Sequence, residues 1–513
     1  MEFCQTNSFM DSPSAKKIGE FIQERHQKWA IENNLSGVDD FEIFEQEIHR
    51  LVMAVEREIV GEELSRYDTC APEIEVKGER YRRGVRASES YLTAAGRVAI
   101  ERYLYHPRAE KGKSICPLEL RSGIVAGYFT PRAARQGAYA MAHLTPGESE
   151  GLFDEIGNMQ PSRSSLDRLT KVLSPHWEEN RESWEATLRQ GETIPATAIV
   201  MTISVDGVMA PVRESELPEK VKQPDKQASG PKGYKEVGCG TITLYDQAAE
   251  RLQTVRYARM PEIKKVTLQQ QLQSESAAIL ALKPALLRVH LADGAKENWR
   301  LMNDIEATLP QPSQTPVEIV DFYHACDHLK KGCDAAWGDN SAQSRDYFER
   351  LKTTLKEKDD GAERLIRTLR FQHSRASAHK RKRLETELTY FRNQHSRMHY
   401  AEYIRRGLPI ASGVMEAACK TLVTQRLKRS GMVWTNQGGQ AILTLRSLIQ
   451  SNRWHSAWSL LHADFRIPVT LPADANQSSL KPISFGPTRL NPLPDTSHQP
   501  LGLFEYAALL LAC

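Results

Sequence analysis

Between Ile194 and Val320 the apolar residues stop recurring at helical steps and gather into short β-branched runs, which constrains the fold more than any other part of the chain. Ala196–Val205 is rich in Ile, Val and Thr, as a buried strand should be. Gly240–Tyr245 and Thr254–Ala258 follow as two more strands in hairpin order. Thr267–Leu282 reads as a helix, with Leu272, Ala277, Ile279 and Leu280 among its apolar residues. Ala285–Ala292 reads as a strand, Glu297–Thr308 as a helix and Val317–Val320 as a last short strand. Strand-strand-strand-helix-strand-helix-strand predicts an α/β fold with a mixed sheet. The polar stretch Glu214–Glu236 predicts a long exposed loop after the first strand.

Strand signals vanish from His324 to Tyr403. Leu351, Leu355, Leu365, Leu369, Leu384, Leu388 and Phe391 step at helical spacing there, so an all-helical block interrupts the α/β layer. Two further helices are expected, one over Gly413–Arg429 opened by Ser412, the other over Gln437–Gln450. Beyond Phe465 the composition turns to Pro, Ser and Asn, a loose tail. The apolar terminal run Tyr506–Cys513 is far too short to span a bilayer and is expected to dock on the body.

Upstream, Val38–Leu64 predicts one long helix with Phe41, Phe44, Ile48, Leu51, Val52, Val55 and Ile59 on its apolar side. The heptad fails near Glu58, so ordinary packing is favoured over a coiled coil. Tyr91–Leu104 reads as a hairpin. Pro131–Leu144, Pro146–Ile156 and Ser162–Leu173 read as three short helices, the last two split by Gly157-Asn158-Met159-Gln160-Pro161. The helix opened by Ser162 carries Arg163, Arg168 and Lys171. A tight turn before a polar-basic helix suits a helix-turn-helix, which lays its last helix in the major groove; a plain helical hairpin with a solvated face has the same signature. The expected partition is an acidic helical segment (1–70), a mainly helical DNA-binding region (71–195), a mixed-sheet core (196–325 and 406–465), a basic helical insertion (326–405) and a tail (466–513).

Net charge over the whole chain is only +3, but it is unevenly divided. Met1–Ser90 holds 12 Lys/Arg against 19 Asp/Glu, whereas Lys330–Arg429 holds 23 against 12. Such asymmetry suggests a polyanion-binding region; two solvated helical faces would look similar. No run approaches the ~20 apolar residues of a membrane span, Met1–Met10 has no signal-peptide pattern, and the eight cysteines form no C-x-x-C pair. A cytoplasmic protein without structural zinc or a disulfide framework is expected.

Three acids stand out by position. Asp206 is expected just after the first strand, Asp293 at the end of Ala285–Ala292, and Glu416 in the first turn of the helix opened by Ser412. Carboxylates on neighbouring strand ends, joined by one from a helix, supply the hard oxygen ligands of two Mg²⁺ (or Mn²⁺) ions. Two such ions stabilise the attacking and leaving oxygens of an in-line phosphoryl displacement. Each acid also has a plainer reading: Asp206-Gly207 and Asp293-Gly294 as turns, Glu416 as an ion pair with Lys420.

The pieces Ser204-Val205-Asp206-Gly207-Val208, Leu291-Ala292-Asp293-Gly294-Ala295, Ser412-Gly413-Val414-Met415-Glu416-Ala417, Arg426-Leu427-Lys428-Arg429-Ser430-Gly431-Met432-Val433-Trp434-Thr435 and Asp321-Phe322-Tyr323-His324 together resemble the DDE transposases of bacterial insertion sequences. The resemblance is to the ISKra group, related to Mutator-like elements, and spans about Thr197–Trp458. It implies an RNase H-like core, DNA cleavage at transposon ends and strand transfer to target DNA. It carries the catalytic and metal-binding roles onto Asp206, Asp293 and Glu416, and implies a homo-oligomer on double-stranded DNA at the bacterial nucleoid. An all-helical insertion between Asp293 and Glu416 is also typical of the group. The paired cysteines that relatives often carry after the N-terminal hairpin are missing, with only Cys116 near that place.

His324 is expected to hydrogen-bond DNA or a water at the metal site, or to orient a carboxylate. His324/His328 and His395/His399 are four apart, but no further ligand has zinc spacing. Lys380, Arg381, Lys382 and Arg383 in the insertion, and Lys420, Arg426, Lys428 and Arg429 around the Glu416 helix, are expected phosphate contacts, which position DNA without reading it. Trp434 is expected to pack in the core rather than stack on a base. A non-catalytic sequence-specific DNA-binding protein and a structure-selective nuclease on the same core are the competing readings.

Overall fold

The Val/Ile/Thr-rich run forms β4 (Val200–Pro211), the centre of a five-stranded mixed sheet in the computed structural model, which describes residues 19–20, 23–28, 31, 41–108, 112–213 and 233–471. The other strands are β5 (Tyr234–Tyr245), β6 (Arg251–Arg259), β7 (Leu287–Ala292) and β8 (Val317–Val320), ordered β6-β5-β4-β7-β8. β4–β5 and β5–β6 pair antiparallel, β4–β7 and β7–β8 parallel. This is the RNase H-like order, an α/β layer built from the predicted sequence of elements. Helices Val266–Leu282 and Lys296–Glu306 make the crossovers that parallel strands require. Most of the predicted loop Glu214–Glu236 and all of Tyr506–Cys513 lie outside the described residues.

Helices Phe322–Trp337, Ala342–Glu357, Gly361–Arg375, Ala378–Gln394 and Tyr400–Arg405 form the insertion. Its predicted apolar residues are all buried, and they share one continuous core with β4, β7 and β8. The insertion is therefore an extension of the α/β layer rather than a body with its own core.

Upstream, a three-stranded antiparallel sheet, β1 (Glu73–Val76), β2 (Glu79–Thr93) and β3 (Gly96–Pro107), accompanies the helices. The hairpin read over Tyr91–Leu104 is its turn; the Arg- and Glu-rich outer halves hide the alternation. The helix Phe41–Ser65 rests on β3 and buries only Leu64 fully, leaving Phe41, Ile43, Val52 and Ile59 exposed. The third helix of the N-terminal trio does not stop at Leu173. It runs Arg163–Gln190, through Pro175, because Trp177, Glu185 and Leu188 continue its buried face. That face packs against the helices Asn436–Gln450 and Trp454–Phe465, so the N-terminal helices and the last helices of the chain share a core. Among the described residues no helix is long and apolar enough to cross a membrane.

Candidate active site

The register of the parallel strands places the acids. Ser204 pairs with Leu291, and Leu291 with Ile319. Asp206 and Asp293 each lie two residues beyond that Ser204–Leu291 pair, and Asp293 and Asp321 each one residue beyond the Ala292–Val320 pair, so the three acids come to the same end of the sheet. Asp206 is not a turn residue: β4 runs straight through it, pairing Asp206 with Cys239 and Gly207 with Gly238. It sits where β4 outlasts its parallel partner. Gly207 suits this place, since a Cβ there would collide with the Glu236 carboxylate.

Each carboxylate is held differently. Asp206 Oδ1 accepts from the Gly207 N–H at 2.7 Å, and Oδ2 from the Cys419 thiol at 3.6 Å. Burial, then the Asp293 charge beside it, pushes the Asp206 carboxyl above the usual carboxylate range. Asp293 Oδ1 accepts from the Ala295 N–H at 2.9 Å and from Asn298 Nδ2 at 3.2 Å. Glu416 is exposed in the first turn of Gly413–Ala418. Its carboxyl is also pushed up, by partial burial first and then by the charges of Asp321, Asp206 and Asp327. Asp206 thus feels the Asp293 charge, and Glu416 feels Asp206 and Asp321. Among the described residues, however, no three metal-ligating side chains stand close enough to hold one ion. The donor chemistry suits divalent cations, which such mutual repulsion favours, while the arrangement itself is open.

Asp321 is the member that sequence reasoning passed over, quoting it only as the first residue of a motif. It is 1% exposed, and both oxygens are committed to backbone. Oδ1 caps the helix Phe322–Trp337 by accepting from the His324 N–H at 2.6 Å, and Oδ2 accepts from the Ser412 N–H. One residue on, Phe322 N donates to Ile410 O at 2.9 Å. The chain returning from the insertion is thereby fastened to the end of β8, four residues before Glu416. The run of strand ends terminating in Asp was the signal available for it.

The expected helix over Gly413–Arg429 is helical only to Leu427 and changes type on the way. After Ala418 it widens into a π-helix over Cys419–Thr424, then resumes as Gln425–Leu427. Segments of this kind concentrate at functional sites. Arg446 accommodates this one, its guanidinium donating to Thr421 O and Leu422 O. Cys419 faces the sheet from the π segment. Its thiol is held far above the usual range by hydrogen bonding to Cys239, by burial and by Asp206.

His324 is half-buried; its ring lies 5.0 Å from that of His328 and 6.1 Å from that of Tyr390, and its charge favours ionised Glu416. His328 Nδ1 meets Glu387 Oε2 at 2.6 Å.

The expected DNA contacts divide. Arg168, Lys382, Lys420 and Lys428 are exposed. Arg163 pairs with Glu150 at 2.6 Å, Lys171 with Asp167 at 2.6 Å, Arg383 with Asp339 at 2.6 Å, and Arg429 with Glu148. Lys380 reaches Ala336 O and Arg381 reaches Ala376 O, both from exposed positions. Arg426 is a correction. It is 1% exposed, donates to Met141 O and lies 5.1 Å above the Trp434 ring. Burial, with Arg429 and Arg446 beside it, pulls its pKa down to about 10, so it stays charged yet is sealed from any phosphate. Trp434 packs as expected, its Nε1 donating to Leu427 O at 3.0 Å.

No family model matches the chain, and no curated protein is similar to it in sequence. Among solved structures it is similar to the Drosophila P element transposase strand transfer complex, at 12% identity over 65% of this chain and 81% of that one, with a TM-score of 0.23. It is also similar to a pre-cleavage Mos1 transpososome, at 11% identity over 50% and 78% of the two chains, with a TM-score of 0.12.

Proposed function

We propose that the chain is a DDE-type DNA transposase, cutting double-stranded DNA at transposon ends and joining those ends to target DNA. The observation that carries the reading is that Asp206 and Asp293 stand at the same end of β4 and β7, where the Asp293 charge raises the Asp206 carboxyl and Asp206 in turn raises Glu416. Asp206, Asp293 and Glu416 would be the carboxylates that hold two Mg²⁺ or Mn²⁺ ions. Bound there, such ions neutralise charge on a phosphodiester and activate water or a 3′-hydroxyl for in-line attack.

The chain's own residues do the rest. The Gly207 and Ala295 amides aim the Asp206 and Asp293 carboxylates, Asp321 fixes where the Glu416 helix begins, and His324 lies near enough to Glu416 to favour its ionised form. Lys420 and Lys428 stand exposed along the helical run that carries Glu416, where a phosphate backbone would approach; Lys380–Arg383 and Arg168 extend the surface. Cleavage of two ends implies a homo-oligomer on DNA, acting at the nucleoid in the cytoplasm.

The test is Mg²⁺-dependent nicking and strand transfer on DNA taken from both flanks of the gene. Glu416→Gln is expected to bind this DNA normally and to cut it at least about 100-fold more slowly. Normal cutting by Glu416→Gln overturns the assignment. Cutting of branched DNA regardless of end sequence, without strand transfer, would identify a structure-selective nuclease instead.

A further inference from the structure

Asp293 stands one residue beyond β7 and Gly294 beyond that, so the sheet offers their carbonyls no ladder partner. Backbone acceptors at such a place need partners from elsewhere. Both come from one helix of the insertion, Ala378–Gln394. Tyr390 donates its hydroxyl to Asp293 O at 3.1 Å, and Gln394 Nε2 donates to Gly294 O at 2.9 Å. Gly294 takes φ 103°, and a Cβ there would sit 3.1 Å from the Tyr390 ring, so the helix presses on the turn as well as bonding to it.

The two gripping side chains are themselves braced. The Tyr390 ring stacks on His328 at 3.7 Å and 11°, and His328 is fixed by Glu387. Gln394 Oε1 accepts from Arg397 at 2.9 Å, and Arg397 is anchored to Glu318 of β8 and lies over Trp299. The grip therefore rests on the strand beside the one it holds. The same helix carries Lys380–Arg383 near its other end; Lys382 lies eight residues, about 12 Å, before Tyr390.

We propose that Tyr390 and Gln394 are positioning residues for the carboxylate of Asp293, so that the helical insertion aims the site as well as contacting DNA. The proposal rests on the transposase reading for its catalytic half and on the contacts alone for its structural half. The isosteric variants Tyr390→Phe and Gln394→Glu, single and combined in the full chain, keep the stacking and the packing volume while removing the donors.

Two measurements decide it. In the metal-free, DNA-free protein, amide exchange at Gly294 and Ala295 is expected to accelerate about 10-fold or more in the double variant, with β7 itself unchanged. In strand cleavage, the Mg²⁺ concentration for half-maximal rate is expected to rise about 10-fold, with most of the rate recovered at saturating Mg²⁺. A merely structural contact would lower the rate equally at all Mg²⁺ concentrations. Wild-type exchange at Gly294 and Ala295 in the double variant overturns the proposal whatever the activity. Faster exchange in a chain whose wild type cuts no DNA overturns the transposase reading and the catalytic half with it.

Discussion

Asp321→Asn separates a carboxylate that positions from one that only packs. Asp321 is 1% exposed and accepts two backbone N–H donors, from His324 at 2.6 Å and from Ser412. Asparagine preserves the volume and one acceptor, but its amide nitrogen must face one of the two donors. The variant therefore loses one hydrogen bond to a charged group and leaves a buried N–H unpaired, which costs about 2–3 kcal/mol. The Ser412 bond is expected to be the one given up, since the His324 N–H belongs to a helix first turn whose geometry recurs along sixteen residues.

Releasing Ser412 frees the segment that opens the Glu416 helix. A displacement of about 1 Å at a reacting group is enough to slow chemistry about 100-fold. The expected result is lower stability by urea denaturation, unchanged DNA affinity and about 100-fold slower cleavage. A second signature is specific to this site. After burial, the charge of Asp321 is the largest influence raising the Glu416 carboxyl. Removing that charge lets Glu416 ionise at lower pH, so the acid limb of the pH–rate profile shifts downward. A variant with wild-type stability, rate and acid limb would refute the positioning argument.

Arg453 is 4% exposed and bonds Glu192, Glu275 and Tyr257 at once, tying the last helix to β6 and to Val266–Leu282; Arg453→Met removes the cation facing Glu275, which keeps Tyr257 and Arg189, and should cost about 3 kcal/mol by urea denaturation. In the metal-free protein the raised Asp206 carboxyl favours the protonated fold, so its contribution is full below the ordinary 3.8 and is lost as pH rises through the folded value; Asp206→Asn should flatten that loss in urea titrations at pH 4 and pH 7. Lys382→Ala should reduce the slope of log affinity against log salt by about one, whereas Arg426→Met should leave that slope unchanged and alter only stability.

Periodicity carried the catalytic layer because its strands are buried and β-branched and its helices amphipathic; Val317–Val320 was legible at both ends. Two features were not. β4 continues past Asp206 because β5 pairs with it all the way to Pro211, a long-range partnership that an Asp-Gly dipeptide cannot reveal. β2 was hidden because Arg80, Arg82, Arg83 and Arg86 crowd its exposed half, where side-chain burial does not enforce alternation. Of the site, Asp206, Asp293 and Glu416 were legible as strand-end and helix-start acids. The role of Asp321 was not, since it depends on two backbone donors, one of them 91 residues away. Tyr390 and Gln394 looked like any residues of a polar helix.

Arginine in this chain shows why basic residues alone misplace a DNA surface. Arg426 and Arg446 both point at the C-terminal carbonyls of the helix Pro131–His143, the former at Met141 O and the latter at Ala142 O. Cations at such an end satisfy acceptors that the helix leaves open and complement its dipole. Arg446 reaches the carbonyls of the π segment with the same guanidinium. These two side chains therefore join the first helix of the N-terminal trio to the helical run that carries Glu416. A shift of the N-terminal helices would therefore strain contacts one to two turns from Glu416. The two buried arginines thus serve packing between the N-terminal helices and the Glu416 run, while Lys420 and Lys428 stay exposed.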